Sequence, residues 1–289
     1  MLAISYIAQR FFDARDPVGF LMRLVKTINL FPVEFVIVLA LMFVNWMLEA
    51  LKWKLAAGQQ VKINFAGALK GVLAGVTIGT ATPNRVGEFA GRIFMHKQED
   101  RMPLLFLSFV CSFCQVAVTF LAGIAGILLL EKNAGLSHNE LIFIYAAGIL
   151  FCLSPLLLFF IPKTWKEKAA KLRELPLAVF IKIFLLSFLR YAVYLTQFVL
   201  LFTMTQPDIF MPELVGCVMV SYLVVTIIPT LSFTEILLRG SIAGIIFSPI
   251  GLEKVAISVA VVLWLINVGI PSLIGSIFVF RLKFSRKET

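Results

Sequence analysis

Apolar residues in this 289-residue chain run in long, unbroken stretches instead of alternating with polar ones. Continuous runs predict helices rather than strands, because in lipid only helices and closed barrels satisfy their own backbone groups, and a barrel strand would alternate. Crossing a hydrocarbon core of ~30 Å takes roughly 20 helical residues. Apolar stretches near that length lie at about 31–53, 65–82, 104–130, 141–161, 177–204, 213–228, 234–247 and 255–280. The pattern predicts an all-α, polytopic membrane protein forming a single integral membrane domain over 1–289. Its halves would be about 31–161 and 177–281, joined by a basic loop at 162–176.

Two of these stretches are interrupted in the same way. Thr82-Pro83-Asn84-Arg85-Val86-Gly87-Glu88 leads on to Arg92, and Ile228-Pro229-Thr230-Leu231-Ser232-Phe233-Thr234-Glu235 leads on to Arg239. Each copy has an apolar arm, a proline, a glutamate five or six residues later and an arginine four residues beyond that. From Asn84 to Lys97 is about fourteen residues, or roughly 21 Å of helix, short of a ~30 Å core. Each proline is therefore expected at the tip of a re-entrant helical hairpin.

Charge supplies orientation. The net charge of +10 invites a nucleic-acid reading, but the basic residues lie in short segments between apolar spans, chiefly 162–176 and 281–289. That is the distribution of the positive-inside rule, so no nucleic-acid partner is expected. Loop 162–176, segment 96–101 and the C-terminus should face the cytoplasm of an inner (plasma) membrane. The first hairpin then opens to the cytoplasm and the second to the outside, two inverted units meeting near the midplane. The same parity leaves residues 8–30 outside, which predicts a further helix upstream with 1–7 as its end. Hydrophobic residues make up 60% of the chain and charged residues 15%, with a mean hydropathy of +0.97, too apolar for a soluble domain.

Candidate chemistry follows from cost. A charged side chain at the centre of a spanning helix costs ~2.5–3.5 kcal/mol on insertion scales. Arg85, Glu88, Arg92, Glu235 and Arg239 must then face protein, water or substrate, with Asn84, Ser232 and Thr234 at the two breaks beside them. A half-helix N-terminus suits an anion. A purely structural role is the alternative: Ser232-x-x-Glu235 fits a capping box, and Glu88/Arg92 and Glu235/Arg239 are i,i+4 pairs. Arg190 and Gln197 share one face of 177–204, and the hairpin carboxylates are candidate partners for Arg190. Gly67, Gly71, Gly75 and Gly79 line one face of the first arm for close packing, with Gly87/Gly91 and Gly240/Gly244 repeating the device. Lys70 and Lys182 are expected to snorkel, and Glu49, Lys52 and Trp53 to close the first span at an interface. Cys111 and Cys114 lack the second pair a metal site needs, so no metal or other cofactor is expected.

At these residues the chain resembles the lysylphosphatidylglycerol synthase transmembrane-region family, also called flippase-like. Leu51-Lys52-Trp53, Pro83 through Glu88, and Pro229 through Glu235 carry the resemblance. It implies a polytopic module that translocates lipids, among them aminoacylated phospholipid and polyprenyl-linked sugars, with Arg85, Glu88, Arg92 and Glu235 lining a central polar site. Family members often carry an Arg and an Asp where this chain reads Cys111 to Gln115. The expected function is a lipid flippase or transporter that binds an anionic phospholipid or polyprenyl-phosphate headgroup. A membrane-embedded transferase acting on polyprenyl-linked sugar, and a small-solute carrier or partner subunit, are the alternatives.

Overall fold

The structure, a computed structural model, describes residues 32–94, 96–134, 175–228 and 234–285. The expected span 141–161, nearly all of the basic loop, the N-terminal residues 1–31 and Ser232 lie outside the described residues. Every regular element among those described is helical. In chain order these are α1 (Pro32–Ala57), α2 (Phe65–Thr80), α3 (Gly87–Ile93), α4 (Arg101–Ala134), α5 (Leu177–Thr203), α6 (Met211–Ile227), α7 (Glu235–Phe247), α8 (Glu253–Trp264) and α9 (Ile270–Ser285). Helices α1, α4 and α5, together with the stretch running through α8 and α9, are long and apolar enough to cross a membrane. Helices α2 and α6 are apolar but shorter. The expectation of a membrane-embedded helical protein stands on these elements.

Polarity is arranged inside out. Val33, Val36, Phe43, Leu177, Leu273 and Phe280 are exposed, whereas Asn45, Glu49, Lys52, Arg92, Gln197 and Asn267 are buried. Water would penalise so much exposed apolar surface, and a hydrocarbon solvent would not. Helix α1 shows the local logic. Pro32 opens it, Glu34 sits in its first turn and Lys54 in its last, complementing the helix dipole.

The first interrupted segment folds back on itself. Asn64 caps α2, its side chain accepting a hydrogen bond from the Gly67 N–H at 2.8 Å. Helix α2 stops ahead of Pro83, a 3₁₀ turn covers Pro83–Arg85, and α3 returns along α2. Thr82 staples the break. Its hydroxyl accepts from the Gly87 N–H at 2.8 Å and lies 3.2 Å from the carbonyls of Ile78 and Gly79. The glycines allow the close return: a Cβ on Gly75 would come 2.7 Å from the Glu88 carbonyl, and one on Gly87 2.5 Å from that of Ile78. On the other arm Gly244 also sits at a close helix contact, with α8, where a Cβ would come 2.9 Å from the Ile257 side chain.

The expected last span is not one regular helix. Pro271 has no N–H to offer the carbonyl of Asn267 four residues earlier, and Leu265–Gly269 winds as a π turn between α8 and α9. The freed Asn267 carbonyl accepts the Trp46 indole N–H at 3.2 Å. Helix α8 packs on α7, and α9 packs on α2. There Thr77 donates to the Ser272 carbonyl at 2.7 Å, and the Thr80 and Ser272 hydroxyls meet at 3.0 Å. One kinked stretch thus holds both interrupted segments.

Candidate functional site

The two helix breaks carry the ionisable residues into one connected network. At the first break, Arg85 Nε lies 2.7 Å from Glu88 Oε1. Arg85 has φ +55°, the only left-handed non-glycine residue among those described. Holding a non-glycine residue there costs about 1–3 kcal/mol, and such strain persists where the surroundings fix it, often at ligand clamps. From that backbone Arg85 Nη1 reaches 3.8 Å from Glu235 Oε1 on the second segment. Glu235 is otherwise held by Arg239, whose Nε and Nη2 both stand 2.9 Å from Oε1. Arg85 therefore bridges Glu88 and Glu235, and the two interrupted segments meet through it.

The network continues inward. Arg92 on α3 places Nη2 3.7 Å from Glu88 Oε2 and 2.7 Å from Oε1 of Glu49 on α1. Glu49 also binds Lys52, one turn on, at 2.7 Å, and Arg190 of α5. A single buried carboxylate thus holds cations from three helices. Neutral groups finish the job: Arg190 Nε donates to Asn45 Oδ1 at 2.8 Å, and Gln115 Oε1 lies 3.4 Å from both Lys52 and Arg190. The Arg190 and Arg92 guanidiniums lie over the rings of Trp46 and Trp53, 5.7 and 5.8 Å from the centroids. An amide ladder runs on from Asn45 to Asn267 (3.2 Å), Gln197 (3.0 Å) and the Val38 carbonyl (2.8 Å).

Placed against the expectations, Arg85, Glu88, Arg92, Glu235, Arg239 and Arg190 all belong to one chain of contacts. Arg190 finds its carboxylate on α1, in Glu49, and not on a hairpin. Asn84 contributes backbone to the turn Pro83–Arg85. Thr234 stands exposed at the start of α7, and Glu235 turns Oε1 to arginines. Lys70 and Lys182 are exposed, as snorkelling requires. Cys111 and Cys114 are buried free thiols, and no metal-binding group of His, Cys, Asp and Glu occurs among the described residues.

One expectation is overturned. Glu49, Lys52 and Trp53 do not close α1 at an interface; their exposures are 3, 1 and 0%. The spacing Asn45, Glu49, Lys52 is i, i+4, i+7, a single polar stripe on an otherwise apolar helix. That stripe was available in the sequence, but proximity to Lys54 at the helix end disguised it as an interfacial flank.

In outline, these elements define an all-helical protein with membrane-length apolar helices around a buried ionic network. No family model, curated protein or solved structure matches the chain. The flippase-like resemblance therefore rests on the motifs quoted above.

Proposed function

We propose that this chain is a membrane carrier for an anionic amphiphile, binding a lipid phosphate where its two interrupted segments meet. The observation that carries the reading is the charge balance of the network. Lys52, Arg85, Arg92, Arg190 and Arg239 face Glu49, Glu88 and Glu235, five cations against three carboxylates. Among the described residues two positive charges are left over, on side chains that are mostly buried. An unpaired charge is costly in hydrocarbon, so a purely structural network should be neutral. A phosphate ester supplies the missing negative charge, and guanidinium forks match its oxygens.

Exposure within the network picks out the contact point. Arg85 and Glu88 are 24 and 25% exposed, whereas Glu49 and Lys52 are sealed. Arg85 is shared between two carboxylates and can turn to a third anion with little rearrangement. In this reading Glu49 anchors the scaffold, Arg85 with Arg239 receives the phosphate, and Glu88 and Glu235 hold the arginines until it arrives. Acyl or polyprenyl chains stay in the bilayer.

The arm lengths support a re-entrant arrangement. Helices α3 and α7 have 7 and 13 residues, roughly 10 and 20 Å at 1.5 Å per residue, so neither spans ~30 Å alone. Together with the loop charges, it supports reading the pair as inverted hairpins whose tips meet near the midplane, a frame that alternating access can use.

The test is lipid scrambling in proteoliposomes with a headgroup-labelled anionic phospholipid. Arg85→Ala, Glu88→Gln and Glu235→Gln should each slow exchange at least tenfold while the purified protein stays monodisperse. Wild-type rates in all three would remove the proposal.

A further inference from the structure

The stretch that joins the two interrupted segments is weakened at one place. Asn267, Gly269 and Pro271 alternate within a run that is otherwise apolar enough to span a membrane. Glycine and proline both weaken a helix interior. Here the chain winds as the π turn Leu265–Gly269, and the Ile270 N–H closes on the Leu265 carbonyl. Packing does not call for the glycine, because a Cβ on Gly269 would meet nothing nearer than 3.7 Å.

The anchors on either side of this turn are tight. Trp264, the last residue of α8, stands beside the Glu235 carboxylate at the second break, and α8 lies along α7. Ser272, in the first turn of α9, accepts the Thr77 hydroxyl on its carbonyl and meets the Thr80 hydroxyl close to the first break. A Cβ on Gly275 would overlap the Leu73 carbonyl, so α9 rests directly on the backbone of α2. Each interrupted segment is thus fastened to its own side of the π turn. The joint between the segments is loose by comparison. Among the described residues the two breaks share one ion pair, Arg85 to Glu235 at 3.8 Å, too long for a hydrogen bond.

The turn itself is braced from one side, by α1 and α5. Trp46 donates to the Asn267 carbonyl at 3.2 Å, and the Asn267 side chain is tied to Asn45 and Gln197 at 3.2 and 3.0 Å. Leu265 and Ile270, on the other side, are 46 and 38% exposed.

We propose that Leu265 through Pro271 is a hinge on which α9 swings together with α2, parting Arg85 from Glu235 and opening the gap between the two breaks. The Trp46–Asn267 bond is the catch that favours the closed form. Arg92, 2.7 Å from Glu49, holds the far end of α3 to α1, so the displacement falls at the tip, where Arg85 is. A fixed kink needs Pro271 and one partner for the freed carbonyl. It does not need a glycine in a roomy place two residues earlier, nor an ion pair stretched to 3.8 Å between the parts it joins. The hinge is a property of the fold and holds whatever ligand Arg85 receives.

Pulsed electron spin resonance measures the swing on the purified full-length chain in nanodiscs of neutral lipid. Nitroxides are attached at Phe280→Cys in α9 and Leu177→Cys at the start of α5, both well exposed, with the native cysteines replaced by alanine. Phe280 lies about 14 Å of helix beyond Pro271, so a swing of about 20° moves it by about 5 Å. The labelled parent should give two distances about 5 Å apart, in unequal amounts. Trp46→Phe keeps an aromatic ring beneath Arg190 and removes the catch. The minor distance should then gain about fivefold on the major one, the worth of one hydrogen bond. Pro271→Ala restores the missing N–H and should leave a single distance. The two variants act in opposite directions, so either decides if the other fails to fold. A single distance in the parent that Trp46→Phe does not split overturns the hinge, as do two distances whose proportions neither substitution changes. With no anionic lipid present, a failure here is separate from a failure of the phosphate reading, which the scrambling assay decides.

Discussion

Replacing Glu49 by Gln keeps the shape of the side chain and removes the one charge that three buried cations share. Lys52 is left worst off, since its remaining contact is Gln115 at 3.4 Å. Arg92 keeps Glu88 at 3.7 Å and Ser108 at 3.5 Å, and Arg190 keeps Asn45 at 2.8 Å. Removing one partner of a buried ion pair costs roughly 3–5 kcal/mol, because the other charge is left uncompensated. The three losses do not simply add, as they share a single carboxylate and the arginines retain partners. A total near 5 kcal/mol is expected, which at about 2–4 °C per kcal/mol lowers the thermal midpoint by roughly 10–20 °C. Differential scanning fluorimetry in a mild detergent measures it. Adding Lys52→Met removes the stranded ammonium and should restore at least half of the loss. Lys54→Met, on the exposed side of the same helix, should change stability by no more than about 0.5 kcal/mol. A Glu49→Gln midpoint within about 2 °C of wild type, or no recovery on adding Lys52→Met, refutes the claim that this carboxylate anchors the network.

Other expectations are as direct. Arg85→Gly relieves a left-handed backbone and should leave stability unchanged or raise it by about 1 kcal/mol, while lipid exchange falls at least tenfold in the scrambling assay. Gly79→Val puts a Cβ 2.5 Å from the Glu88 side chain; it should cost about 1–3 kcal/mol by overpacking and slow lipid exchange, read by thermal shift and scrambling together. Asn267→Leu strands the Asn45 and Gln197 amides and the Arg190 contact behind them. A loss of about 2–4 kcal/mol is expected from the unmet polar groups, measured by denaturant or thermal unfolding. Cys111, fully buried, should resist maleimide in native protein and react after denaturation when it is the only cysteine retained; rapid native labelling would contradict its burial.

Much of the architecture is legible along the chain because apolar run length and proline position are local properties. The ends of α2, α5, α6 and α7 fall within two residues of the hydropathy boundaries, since a helix in an apolar solvent continues until a proline or a polar segment stops it. The candidate arginines and glutamates were legible for the same reason: a charge within an apolar run demands an explanation wherever it points. Pairing was not legible. Nothing local tells Arg190 to seek Glu49 in place of a hairpin carboxylate, nor that Glu49 and Lys52, three residues apart near a helix end, lie inside. Those outcomes depend on which faces of α1, α3 and α5 turn toward each other. The π turn at Asn267 likewise needs both Pro271, visible in the sequence, and a Trp46 indole placed by another helix to take the freed carbonyl. By itself the sequence determined what each segment is: helical, apolar, interrupted twice and charged just beyond the interruptions. Only the tertiary structure decided which charges meet. An ion pair is set by ångström distances between residues far apart in the chain, and a one-dimensional pattern carries no such distances.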